Sequence, residues 1–469
     1  MTTDFRSLEL SRTLVEVTAE LGYLTMTDIQ ARSIPVLLAG KDLVAQSRTG
    51  SGKTAAFALP ILQALELSPR VPKALVLCPT RELGAQVARE IRKLGRKHEG
   101  LRVLVLGGGE SRYLQERSLR QGAHVLVGTP GRVRDHLERG SLDLSALRTV
   151  VLDEADRMLE MGFEADMQAI LSAVPTPRQL AFFSATFPSS IEAMSARYQA
   201  SPERVTVETQ EAERSEIRHL VAIVEGEQRL SALLGALEAH PHESALVFAN
   251  FKASVASLQQ ALSSAGLSVG ALHGDLEQHE RDRVMAKFRN GSTRILVATD
   301  VAARGIDVQG LDLVINYELP KQPATYVHRV GRTGRAGKTG IAISLLTSRE
   351  QGKLAGIEAL LGSPLERASS LIPERGRDRQ PAARPAPERE ARMDTLKIFG
   401  GRKQKVRPGD LLGALTGEAG GLQGSDVGKI EIHDNFSYVA VSRAVSAEAL
   451  KSLIEGRIKG RKFRVTLEP

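Results

Sequence analysis

Eight consecutive residues carry the clearest chemical promise in this chain: Ser47, Arg48, Thr49, Gly50, Ser51, Gly52, Lys53 and Thr54. They follow the apolar stretch Asp42–Ala45 and precede a helical segment from Ala55. Gly50 and Gly52 let backbone N–H groups crowd around phosphate oxygens with no Cβ in the way. A helix N-terminus adds a partial positive charge. Lys53 is then placed for the β and γ phosphates of a nucleotide, and the Thr54 hydroxyl for magnesium. Gly-Lys-Thr also occurs in ordinary surface turns. The strand–loop–helix setting favours a P-loop, here with Ser47 at its first glycine position.

A second constellation is acidic. Asp153, Glu154, Ala155 and Asp156 come directly after the buried-strand pattern Thr149–Leu152, and nucleotide sites form at the carboxyl ends of parallel strands. Asp153 can hold magnesium, in part through water, and Glu154 can take the proton of a water attacking the γ phosphorus. A solvated acidic turn is the plainer reading of these residues alone; the P-loop upstream weighs against it. The basic run from His328 to Arg335 completes the set. Phosphoryl transfer gathers negative charge on the γ oxygens, and an arginine offered from a second domain stabilises it. Arg332 and Arg335 are neighbours on one face if the segment is helical. A structural ion-pair cluster is the competing reading.

Such residues need a scaffold that presents loops at strand ends. Short apolar, β-branched runs supply it: Ala74–Cys78, Val103–Leu106, Val125–Val127 and Val150–Leu152 form one set. Ala245–Phe248, Ile295–Ala298, Leu313–Ile315 and Ile341–Leu345 form another. Continuous apolar strands separated by helical stretches predict parallel sheets covered on both faces. The charged stretch Glu203–Arg218 separates the two sets. The expected organisation is therefore an α/β domain at 1–207, a second at 208–365, a flexible linker rich in Arg, Glu, Pro and Ala at 366–393, and a small domain at 394–469. In the small domain, strand Thr395–Phe399, helix Asp410–Leu415, strands Lys429–His433 and Tyr438–Ser442, helix Ala447–Ile454 and strand Phe463–Leu467 follow in turn. That βαββαβ series is the split pattern of RNA-recognition folds.

Composition sets limits. An apolar fraction of 42% and a charged fraction of 25% suit globular domains with a sizeable core. No apolar run reaches the roughly 18 residues of a membrane span, and Met1–Leu10 lacks the apolar stretch of a signal peptide. The lone cysteine, Cys78, rules out an intrachain disulfide or a cysteine-rich zinc site. A cytoplasmic address is expected. From Glu366 onward 20 Lys and Arg oppose 14 Asp and Glu, so this segment holds most of the net charge of +8. A basic tail on a nearly neutral body fits a polyanionic partner, and fits plain surface solubility equally well.

In this order, from about Phe5 to Leu346, the blocks resemble the DEAD-box helicases of superfamily two. The resemblance implies two tandem RecA-like parallel-sheet domains, RNA-dependent hydrolysis of ATP with Mg2+, and local unwinding of RNA duplexes. Gly22 to Gln30 is similar to the adenine-reading Q motif, with Met26 and Asp28 where the family has proline. The resemblance places Gln30 on the adenine edge and Phe5 on its ring. It makes Arg81 in Pro79–Leu83, Gly108 in the Gly107–Gly108 doublet, and Thr129 and Arg132 in Thr129–Arg132 contacts to the RNA backbone. Ser184 and Thr186, with His328, would couple nucleotide state to RNA. Gln278, Arg281 and Thr299 would touch RNA, while Gly305 and Asp307 in Ala303–Asp307 would lie near the ATP ribose and phosphates.

The stretch Thr395–Leu467 is similar to the RNA-binding domain of the DbpA group of bacterial DEAD-box helicases. That resemblance implies docking on 23S rRNA during assembly of the large ribosomal subunit and its precursors, by a chain taken to be a monomer. Phe436 and Tyr438 could stack on bases, or simply pack in the sheet. Lys397 takes the aromatic position of the first strand, so RNA contacts are expected from Lys397, Arg402, Lys403, Lys405, Arg407, Lys459, Arg461 and Lys462 together with Tyr438. Two other readings stand beside the helicase: an ATP-dependent RNA clamp without productive unwinding, and a DNA translocase of the same superfamily.

Overall fold

Side chains alternate across a strand, so a run such as Ala74–Leu77, apolar at every position, must be buried on both faces. A computed structural model describes residues 4–47, 50–207, 217–226, 228–303, 308, 310–334, 339–368, 390–417 and 420–468, and these fall into two compact units. In the first unit β1 (Leu43–Gln46), β2 (Ala74–Leu77), β3 (Val103–Leu106), β4 (Val125–Gly128), β5 (Thr149–Asp153), β6 (Gln179–Ser184) and β7 (Glu203–Thr206) form one parallel sheet in the order β3-β4-β2-β5-β6-β1-β7. Ala74 and Val76 point into a core with Phe57, Leu59, Val87 and Ile91. Leu75 and Leu77 point into another with Val133, Met158, Ile170 and Phe182.

The second unit repeats this plan. Strands β8 (Ile217–Ile223), β9 (Ala245–Phe248), β10 (Val269–Leu272), β11 (Ile295–Ala298), β12 (Leu313–Asn316), β13 (Gly340–Leu346) and β14 (Glu366–Arg367) run parallel in the order β10-β11-β9-β12-β13-β8-β14. Strand for strand this is the order of the first sheet. The charged stretch between the two apolar sets differs from expectation, because its start is the edge strand β7 and its end opens β8. Only Val205 is buried in β7, which pairs through its backbone with β1. The linker expected at 366–393 lies outside the described residues from 369 to 389. Among the described residues, no helix is long and apolar enough to cross a membrane.

The second unit also holds β15 (Met393–Ile398), β16 (Val427–Ile432), β17 (Ser437–Ser442) and β18 (Val465–Glu468), an antiparallel sheet in the order β16-β17-β15-β18. With helices Pro408–Thr416 and Ser446–Glu455 it forms the expected βαββαβ series. Leu396, Ile398, Val439 and Val441 face those helices through Leu411, Leu415, Ala449 and Leu453. The opposite face of the sheet is covered as well. Thr395 Oγ1 accepts from Asn290 Nδ2 at 2.8 Å and donates to Ser292 Oγ at 2.8 Å. Arg289 grips Glu431 with Nε and Nη2 at 2.8 and 2.6 Å. The small sheet thus rests on the end of helix Gln278–Arg289 and the turn after it.

Candidate nucleotide and RNA site

The phosphate cradle hangs from the end of β1. Gly52, with φ at +91°, caps helix Lys53–Gln63 in a left-handed conformation that glycine adopts without strain. A Cβ there would stand 2.5 Å from Gln30 Nε2. Lys53 is 7% exposed and donates to the Ser47 carbonyl at 3.1 Å, which aims its ammonium back over the loop. Ser47 and Ser51 share a hydroxyl contact at 2.9 Å, and Thr54 is half-buried on the first turn of the helix. Arg48 and Thr49 lie outside the described residues. Gln30 accepts from the Thr27 backbone N–H at 3.0 Å and donates to the Gly52 carbonyl at 3.1 Å. Its amide therefore ties the P-loop to the turn before helix Asp28–Leu38 and has a second N–H beyond the one given to Gly52. Phe5 is buried in the core, edge-on to Tyr23 at 6.3 Å.

Facing the loop are the acids at the end of β5. Asp153 is 3% exposed, and its Oδ1 finds no hydrogen-bond partner among the described residues. Burial pushes its carboxyl up to about 7, against the pull of Lys53 and with the help of Glu154. A buried carboxylate with an open oxygen is the donor a divalent cation needs. Glu154 sits at φ 55°, a left-handed position rare for a side-chain-bearing residue. Its carboxylate is gripped by Arg157 Nη1 at 2.8 Å. Asp156 ties the acids to the end of β6: Ser184 Oγ accepts its backbone N–H at 3.2 Å, and Thr186 donates to Asp156 Oδ2 from both N and Oγ1 at 2.8 Å.

The other half of the same sheet edge is basic. Arg81 opens helix Arg81–Leu94 after β2, with Thr80 capping it. It reaches the Gly108 carbonyl at 3.4 Å and Glu110 at 2.6 Å. A Cβ on Gly107 would stand 2.7 Å from Arg81 Cγ, so glycine is what lets the arginine pass. After β4, Thr129 precedes helix Pro130–Glu138, and Arg132 donates to Gln115 at 2.8 Å. In the order β3-β4-β2-β5-β6-β1 the arginine-bearing ends are contiguous, while the acidic end of β5 and the P-loop end of β1 flank the β6 end that carries Ser184.

In the second unit Gln278 starts helix Gln278–Arg289 and donates to Asp282 at 2.9 Å. Arg281 reaches the Ala302 carbonyl at 3.3 Å, and Thr299 caps the short helix after β11. Helix Pro323–Val330 carries His328 and ends before Arg332, so Arg332 lies past the helical segment. Arg335, Gly305 and Asp307 lie outside the described residues. Arg329, in the same basic run, does form a structural ion-pair cluster. That residue is fully buried, pairs bidentately with Asp300 at 2.6 and 2.7 Å, and donates to Asn250, Asn316 and the Glu318 carbonyl.

The small domain requires a correction. Tyr438, read as an RNA contact that could stack on bases or else pack in the sheet, is 1% exposed. It lies on the covered face of the sheet, edge-on to His433 and Phe436. Lys397 on the same face lies over the rings of Phe399, Phe436 and Tyr438 at 5.2 to 5.8 Å. In this arrangement the sheet is an intramolecular surface. The basic loops remain outside it: Arg402, Lys403, Lys405, Arg407, Lys459, Arg461 and Lys462 are exposed. Lys459 Nζ donates to the Lys405 carbonyl at 3.3 Å, which joins the two loops into one patch.

Residues 27–194 match the DEAD/DEAH box helicase family, 227–337 the helicase conserved C-terminal domain, and 395–467 the DbpA RNA binding domain. The chain is 45% identical to the ATP-dependent RNA helicase DbpA of Escherichia coli (strain K12), over 96% of this chain and 95% of that protein. It is 38% identical to the ATP-dependent RNA helicase DbpA of Bacillus subtilis (strain 168), over 98% of both. This chain belongs to the DEAD-box family of ATP-dependent RNA helicases. Among solved structures, S. cerevisiae Dbp5 bound to RNA and ADP BeF3 superposes with a TM-score of 0.69 at 32% identity, over 78% of this chain and 96% of that one.

As a DEAD-box helicase with a DbpA-type RNA-binding domain, the chain uses ATP and binds RNA. Several side chains that pack around these motifs escaped sequence reasoning. Asp156 and Arg157 stand within or beside the acidic run, and Arg329 within the basic one, yet nothing in their spacing announces which atoms they touch. Glu110, Gln115 and His136 belong to no run at all.

Proposed function

We propose that this helicase hydrolyses ATP at the P-loop when single-stranded RNA occupies the adjoining half of the same sheet edge, and that its C-terminal domain directs it to 23S rRNA during large-subunit assembly. The observation that supports the coupling is the sorting of strand ends in the first sheet, with Asp156, Ser184 and Thr186 tied together beside the acids. Lys53 and the loop backbone bind the phosphates. Thr54 and Asp153 would hold magnesium, which when bound shields phosphate charge. Glu154 takes the proton of the attacking water as the bond from the γ phosphorus to the ADP oxygen breaks. Arg332 and Arg335 stabilise the charge that gathers on the γ oxygens, and Gly305 and Asp307 stand by the ribose and phosphates. Arg81, Gly108, Thr129 and Arg132 on one unit, and Gln278, Arg281 and Thr299 on the other, hold a bent strand. A neighbouring duplex then loses base pairs, and hydrolysis releases the strand. The enzyme works as a cytoplasmic monomer.

The rRNA assignment is supported by the DbpA-type domain and its joined basic loops. It is tested by phosphate release with 23S rRNA fragments, comparing the unaltered protein with a variant carrying Arg402→Glu, Lys403→Glu, Lys459→Glu and Arg461→Glu. The unaltered protein is expected to half-saturate at lower concentrations of some 23S fragments than of unrelated RNA, and the variant to lose that preference while unrelated RNA still stimulates it. Equal stimulation of the unaltered protein by every RNA contradicts the assignment.

A further inference from the structure

We infer that Glu110 is a built-in counter-ion of the RNA groove, a carboxylate standing where an RNA phosphate must bind and setting how much RNA the groove demands. The inference rests on the reading of Arg81 and Arg132 as RNA contacts. Glu110 Oε1 accepts from Arg81 Nη2 at 2.6 Å, its Oε2 accepts from Gln115 Nε2 at 3.3 Å, and its backbone carbonyl accepts from Arg132 Nη1 at 3.3 Å. One acidic residue therefore engages both arginines of the groove. A guanidinium binds carboxylate and phosphate with the same fork of donors, so Glu110 and a phosphodiester compete for the same N–H groups.

What holds Glu110 in place is buried. Gln115 is 3% exposed. Its Nε2 also donates to the Gly107 carbonyl at 2.9 Å, and its Oε1 accepts from Arg132 at 2.8 Å and meets His136 Nε2 at 3.0 Å. His136 is wholly buried and is fixed from its other side by Ser141 Oγ at 2.8 Å. The counter-ion itself is not buried: the Glu110 side chain is 45% exposed and that of Arg81 21%. A fixed support under a surface carboxylate makes a competitor that RNA can displace. It leaves the arginines poised in the RNA-free protein and lowers affinity for a strand that offers few phosphates.

The test uses the full-length protein and a single-stranded oligoribonucleotide, with affinity read by anisotropy across a salt series. Glu110→Gln keeps the size of the side chain and its hydrogen-bonding oxygen but removes the charge. It is expected to bind RNA about fivefold more tightly at low salt, the range open to an exposed ion pair. Its log–log salt dependence is expected to steepen by up to about 0.7, since one more arginine charge is free to release counterions. Glu99→Gln, an exposed acid beyond the end of helix Arg81–Leu94, makes the same change in net charge and is expected to leave RNA affinity unaltered. Unchanged or weaker RNA binding by Glu110→Gln, or an equal gain from Glu99→Gln, overturns the counter-ion role. RNA affinity untouched by Arg81→Ala instead overturns the groove assignment, and the counter-ion role falls with it.

Discussion

His136 shows how much a single buried side chain carries in this enzyme. Its two ring nitrogens hold Ser141 and Gln115, and Gln115 in turn holds Arg132. Burial first, and then the Arg132 guanidinium, hold the imidazole below its ordinary value of 6.5. Between that lowered value and 6.5 the unfolded chain binds more protons than the folded one, so stability rises with pH through this window. The contribution is fully present above 6.5 and is lost as pH falls toward the lowered value. The unfolding temperature is therefore expected to drop as pH falls from about 7 to about 5.5, with a shallower slope in His136→Gln. His124, His219 and His433 are also lowered by burial, so the slope is reduced and not abolished. An identical slope in His136→Gln would show that His136 is not held neutral by the fold. At the same scale Gln30 and Thr186 carry contacts that link one motif to another, to Gly52 and Asp156, 22 and 30 residues away in sequence.

Polar anchors hold the docked small sheet, Asn290, Ser292 and Arg289 among them. Arg289→Glu or Glu431→Arg alone should destabilise the protein by about 1–3 kcal/mol, the range for charge-assisted hydrogen bonds. The double exchange should recover most of that loss in thermal unfolding. A double variant as unstable as the sum of the singles would show that the pair makes no net contribution. These anchors also mark the limit of what the sequence makes legible. Ala74–Leu77 and Ile295–Ala298 read as strands because burial on both faces demands apolar side chains throughout. Glu203–Thr206 did not, because an edge strand with one buried side chain is held by backbone pairing alone. The P-loop and acidic residues were legible since glycine, lysine and carboxylates at fixed spacing are needed for the chemistry itself. The choice between stacking and packing for Tyr438 was not legible: its alternation with Val439 and Val441 marks it as facing away from its own core, and only Thr395 and Asn290, which follow no pattern, say what it faces. Glu110 was missed for a similar reason: its partner Arg81 lies 29 residues away.

At the scale of the molecule, two parallel sheets share one strand order and differ in what their strand ends carry. The first bears a lysine, a buried acid pair and the paired groups Asp156 and Thr186. The second spends its most buried arginine, Arg329, on internal ion pairing, and is proposed to offer Arg332 and Arg335 to the nucleotide. In the proposed mechanism, hydrolysis linked to RNA depends on Glu154 as the proton acceptor. The most direct measurement is phosphate release at saturating ATP as an oligoribonucleotide is added, in the unaltered protein and in Glu154→Gln, with nucleotide binding followed in parallel. The account predicts strong stimulation by RNA in the first, a fall of roughly 10²–10⁴-fold in the second, and ATP binding retained in both. Undiminished RNA-stimulated phosphate release from Glu154→Gln would contradict it.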